Sequence, residues 1–248
     1  MIYGNDTISH YNKSNIFVWM LMAFQAGCLN IGGFLACHRF VSHITGFATF
    51  FASEIVLSEY RRAFGMLLVP TSFLIGAMCS GFLIDFQLRH FKFPKYFVSF
   101  GLIFIVMLLV FVLGHVGYFG EFGFLVEDKR DYLLLFLLCF ICGLQNGTIT
   151  TVSKSVIRTT HLTGLTTDLG IGLTRLFLTG KKSENFENEK KATFMRVGII
   201  AFFGIGSIVG AFFYTKWKYD GFMLPVITSG ILFLMMIFVQ LKHKMKKN

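Results

Sequence analysis

Charged side chains are scarce in this chain of 248 residues: 15% are Asp, Glu, Lys or Arg, against 54% hydrophobic, and the mean hydropathy is +0.66. An ordinary soluble domain carries about a quarter charged residues, so this surface is one that a bilayer solvates better than water does. Acidic residues are the rarer sign, 13 against 23 basic, and the net charge is +10. That excess does not mark a nucleic-acid binder, because the Lys and Arg residues fall between apolar runs and in the C-terminal KHKMKKN rather than on one basic face. They read as topology signals.

Cysteine is also sparse. Cys28, Cys37, Cys79, Cys139 and Cys142 are an odd number and sit in or beside apolar runs, where thiols behave as small hydrophobes, so no disulfide framework is expected. Cys139 and Cys142 form a C-x-x-C, yet Phe140 and Ile141 separate them and no second pair follows; neither zinc nor redox chemistry is expected there. No GxSxG, HExxH or phosphate-binding glycine loop occurs, so the expectation is a protein that is not an enzyme and holds no cofactor and no metal. A cleaved leader is not expected either. The segment before the first apolar run has Lys13 as its one firm positive charge, and the AGC at Ala26 to Cys28 has Gln25 where a lipoprotein box needs an aliphatic residue.

Six runs free of Asp, Glu, Lys and Arg are present: Asn15 to Ala36, Ala63 to Ile84, Phe97 to Gly114, Tyr132 to Val152, Val197 to Tyr214 and Phe222 to Leu241. Each approaches the ~20 residues that span a hydrocarbon core as a helix. Two shorter stretches, Phe47 to Leu57 and Leu165 to Phe177, would reach only about 16 to 20 Å against a core of about 30 Å, and are expected to be half-helices that enter without crossing.

An internal repeat is visible. Gly27-Cys-Leu-Asn30 corresponds to Gly143-Leu-Gln-Asn146, His43-Ile-Thr45-Gly46 to His161-Leu-Thr163-Gly164, and Gly76-Ala-Met-Cys-Ser80-Gly81 to Gly206-Ser-Ile-Val-Gly210-Ala211. Three crossings per half is an odd number, so the second half is expected upside down relative to the first, as in secondary transporters. The expected fold is all-α: a polytopic membrane protein of six transmembrane helices plus two half-helices, in two inverted three-span repeats. Residues 1–14 form a cytoplasmic segment, 15–241 one transmembrane domain (repeats at about 15–114 and 132–241), and 242–248 a basic cytoplasmic tail. With the N-terminus inside, 16 of the 23 basic residues lie on the inner side, which places both termini in the cytoplasm; eight crossings would leave 15 there, so helix length and not charge selects six.

The broken regions concentrate the polar chemistry. If Gly46 and Gly164 open the half-helices, free backbone N–H groups and two positive helix-dipole ends would converge on one place that suits an anion. Thr45, Thr49, Thr163 and Thr167 add hydroxyl donors, His43 and His161 can donate or titrate, and Asp168 is costly at membrane depth unless it has a role or a partner. The plainer reading is that the Thr residues cap helices and both His bond buried carbonyls. Asn30 and Asn146 either bond between helices or line a pathway. The small-residue faces Gly76-x-x-x-Ser80 and Gly206-x-x-x-Gly210 serve close packing, within the fold or in a homodimer. The stretch Lys181 to Lys191 reads as a solvated loop.

The stretches AGCLNIGGF, FVSHITG, and GLQNG followed by VIRTTHLTGLTTDLGIGL resemble the YoaK family of bacterial membrane proteins, defined by a domain of unknown function. The resemblance runs from about Phe17 to Leu241 and implies a multi-pass protein of the bacterial plasma (inner) membrane. The functional expectation is a secondary transporter or channel-like carrier of a small, anionic solute bound between the half-helix N-termini. Its partners would be membrane lipids and that solute, with no nucleic acid. The rival is a non-transporting membrane scaffold or partner protein, which would need no ligand.

Overall fold

Where lipid supplies no hydrogen bonds, each backbone N–H and C=O must be satisfied within the protein, and an apolar run does this most simply as a helix. The structure, a computed structural model, describes residues 13–91, 96–124, 129–152, 162–178 and 184–245. Among them all regular structure is helical: α1 (Lys13–Cys37), α2 (Ile44–Val56), α3 (Tyr60–Phe91), α4 (Tyr96–His115), α5 (Lys129–Val152), α6 (Leu162–Leu178), α7 (Glu184–Trp217), a 3-10 turn (Lys218–Phe222) and α8 (Met223–Met245). Most of segment 1–14 and the last three residues of tail 242–248 lie outside the described residues.

Five helical stretches are long and apolar enough to cross a bilayer: Asn15–Cys37, Tyr60–Ile84, Tyr96–His115, Arg130–Thr150 and Phe186–Leu241. The last, 56 residues, covers most of both α7 and α8, and at ~1.5 Å per residue it is far longer than a bilayer core. The chain turns back between the two helices, where Lys218 has φ +51°. The stretch expected as a loop from Lys181 to Lys191 is instead helical from Glu184 onward. Its Glu, Asn and Lys residues are helix-compatible, and Glu187 pairs with Lys190 one turn on. α2 begins at Ile44, three residues earlier than expected, because the polar Thr and Gly form its first turn, and α6 is already helical at Leu162, where the described residues resume.

Helix pairing follows the repeated small residues. A Cβ on Gly27 would lie 2.1 Å from the Phe203 carbonyl oxygen, and one on Gly206 would lie 2.0 Å from that of Phe24, so α1 and α7 cross with their backbones in contact. The same crossing recurs between α3 and α5, where a Cβ on Gly76 would lie 2.2 Å from the Phe140 oxygen and one on Gly143 2.0 Å from that of Phe73. The matched glycines of the sequence repeat thus occupy matched places. Gly198 lies beside Met20 and Gly32 beside Tyr214, so α1 and α7 run in the same direction; Gly65 beside Tyr132 and Gly147 beside Ser80 show the same for α3 and α5.

The remaining pair, α4 and α8, meets by exchange. Gly101 seats the Phe233 ring, Gly230 seats the Phe104 ring, and the rings stack at 6.1 Å. With His115 bonded to Asp220 beyond them, these two helices run antiparallel. Several contacts gather one set of ends together. The Gly123 N–H donates to the Ala36 carbonyl at 3.0 Å, Tyr132 rests on Gly65, and Tyr219 rests on Gly114. At that end α1, α4 and α7 finish while α3, α5 and α8 begin.

Candidate functional site

Two kinds of polar structure are built into this apolar bundle: a buried seam and a broken segment. The seam joins α1, α5 and α8. Thr228 donates to Gln25 Oε1 (3.0 Å), Gln25 Nε2 donates to Gln145 Oε1 (3.0 Å), and Gln145 Nε2 donates to the Met22 carbonyl (2.9 Å). Both amides are almost wholly buried, at 0% and 1% exposure, so each bond replaces water that the site excludes. Neither Gln was among the expected site residues. Their signal in the sequence was an uncharged amide in the middle of an apolar run, and nothing in the sequence said that the two would meet.

The broken segment is the link from α1 to α2. His38 takes φ +53°, which ends α1, and its N–H donates to the Phe34 carbonyl at 2.8 Å. Asn30 Oδ1 then accepts from the Ser42 hydroxyl at 2.9 Å and from the Ser42 N–H at 3.4 Å, tying the link back along α1. Asn30 Oδ1 therefore bonds to the link. Val41 is fully buried beside Gly33, and its carbonyl accepts from the Cys139 thiol at 3.5 Å. Cys139 sits near the centre of the Arg130–Thr150 stretch, so non-helical backbone reaches the depth of mid-α5.

From there α2 starts at Ile44 with no side-chain cap at His43. Gly46 N–H is already used, donating to the His43 carbonyl at 3.1 Å, and a Cβ on Gly46 would meet nothing within 4 Å. His43, Thr45 and Thr49 are exposed, while Phe47 is buried and anchors the helix. In α6 the pattern repeats: Leu165 is the buried anchor, Gly164 is half-buried, and Thr163, Thr167 and Asp168 are exposed. Thr167 spends its hydroxyl proton on the Thr163 carbonyl at 3.0 Å, the structural use of a helical Thr. Asn146 Oδ1 is buried with no hydrogen-bond partner among the described residues. His161 and the rest of its link, 153–161, lie outside them.

Each short helix is held by its own half of the chain. α2 packs on α3, where the Phe51 and Phe64 rings meet at 6.3 Å. α6 packs on α7, where Glu189 accepts from Arg196 at 2.6 Å and lies 3.6 Å from Arg175. Among the described residues the two do not share a packed interface, so Thr45 and Thr163 are brought to equivalent places without being brought into contact.

Long apolar helices, polar groups paired inside, and non-helical backbone at depth define a multi-pass α-helical membrane protein. The chain belongs to the DUF1275 family, a protein of unknown function, whose model matches residues 18–238. This agrees with the resemblance carried by GLQNG and THLTG. No curated protein and no solved structure matches the chain.

Proposed function

We propose that the protein is a carrier or channel-like transporter of a small anion in the bacterial plasma membrane, built as an inverted repeat with six crossings and cytoplasmic termini, and not an enzyme. The observation that carries this reading is the link from His38 to His43, whose buried Val41 reaches mid-α5 and delivers an uncapped helix start beside open space. Irregular backbone at that depth is tolerated where protein buries it or where it lines a water-filled cavity, and discontinuous helices at inverted repeats are how secondary transporters make solute sites. Uncapped N–H groups and the positive end of the helix dipole favour an anion.

Three features support the inverted arrangement. The equivalent helices α4 and α8 are antiparallel, the relation that a pseudo-twofold axis perpendicular to them would give. α1 ends and α3 begins at one end of the bundle, as expected of an α2 that enters and returns. α2 itself has 13 residues, about 20 Å, short of a core of about 30 Å.

The test is a thermal-shift screen of purified protein against small inorganic and organic anions, followed by Thr45→Ala combined with Thr163→Ala. Each hydrogen bond lost to a charged ligand should weaken binding by about 1.5 to 3 kcal/mol. A double variant that binds as tightly as the parent sinks the half-helix site, and a protein that answers to no anion reads as a scaffold instead.

A further inference from the structure

We propose that Arg39 and Tyr132 form a separate binding site for a small organic carboxylate, at the end of the bundle where α1 finishes and α3 and α5 begin. The Arg39 guanidinium lies 4.1 Å from the centroid of the Phe50 ring, which fixes its position, and its Nη1 donates to the His38 carbonyl at 3.1 Å. Its Nε is buried and has no hydrogen-bond partner. That Nε belongs to the Nε–Nη2 side, the planar fork that takes the two oxygens of a carboxylate.

The Tyr132 hydroxyl is buried and unpartnered as well. Its ring is seated where Gly65 leaves room on α3: a Cβ there would lie 2.6 Å from the hydroxyl oxygen. Arg39, Arg61, Arg62 and Glu54 act electrostatically on that hydroxyl. Two buried donors without acceptors are costly when empty, and one anion held between them would satisfy both. The ring of Phe136, its centroid 6.1 Å from that of Tyr132, offers an apolar surface for the body of an organic acid. The second half carries an Arg in its corresponding link, Arg158, outside the described residues.

The site does not depend on the half-helix N-termini, and the experiment separates the two. The full chain in detergent is titrated with sodium acetate, lactate and succinate, against sodium phosphate and sodium chloride at equal ionic strength, and the Tm is followed. At least one carboxylate should raise the Tm saturably. Arg39→Lys keeps the charge but loses the fork, and Tyr132→Phe removes one oxygen while keeping the ring on Gly65; each should raise the apparent Kd by roughly tenfold or more. A carboxylate response that survives in both of these variants belongs to the half-helix N-termini and not to this site. The proposal is overturned if no carboxylate stabilises the parent, if phosphate alone does, or if both variants bind as the parent does. Should Arg39→Lys fail to fold, Tyr132→Phe decides.

Discussion

Gln25 and Gln145 are an expensive pair of residues to place in an apolar bundle, and their cost is met by each other, by Thr228 and by the Met22 carbonyl. Removing one partner leaves the other buried and unsatisfied, at about 1 to 3 kcal/mol, whereas replacing both with apolar groups of similar shape can be nearly neutral. Gln25→Leu and Gln145→Leu should therefore each lower thermal stability in detergent, and the double variant should recover most of the loss. Strictly additive losses would mean that the seam acts through something other than the pair. At this scale the sequence was only partly legible. Asn30, His43 and Thr45 announced themselves by repetition, but Gln25 has Ile141 at its repeat-equivalent position, and repetition could not point to it.

At the scale of elements, close approach of backbones sets the architecture, and the glycines report where it occurs. Gly206 and Gly204 lie two residues apart on α7, yet a Cβ at Gly206 would sit 2.0 Å from a carbonyl oxygen while one at Gly204 would meet nothing within 4 Å. Gly206→Ala should force α1 and α7 apart and cost about 1 to 3 kcal/mol or more, and Gly204→Ala should be neutral or slightly stabilising through helix propensity. The same contrast should hold on α3 between Gly76 and Gly81. Folded yield and Tm of the four variants check both pairs, and equal effects at Gly204 and Gly206 would refute the crossing. These faces were legible as small-residue motifs. Their use within the fold was not, because a motif on one helix does not name its partner.

At the scale of the whole molecule, the proposed six-crossing arrangement puts Tyr60 on the outer side and Glu187 on the inner side. Eight crossings would put both inside. Single cysteines at those two positions, challenged with an impermeant thiol reagent on intact cells, should label at Tyr60→Cys alone. The native thiols should give little background, since Cys28, Cys37, Cys139 and Cys142 are buried and Cys79 is half-buried in the apolar Tyr60–Ile84 stretch. Equal protection of both cysteines would speak for eight crossings, and α2 would then have to bridge the core with 13 residues, which tilting only makes harder.

By itself the sequence determined the apolar solvent, the helical class, the matched glycine motifs and the break after α1. Each of these follows from local composition: scarce charge, runs near bilayer length, and clusters of Gly, Thr, Asn and His. Only the tertiary structure decided that α1 pairs with α7 and α5 with α3, that Gln25 meets Gln145 across 120 positions, and that α2 and α6 each lie on their own half. Those outcomes depend on which surfaces fit at van der Waals distance. In an apolar solvent that fit, rather than burial from water, selects one helix partner over another.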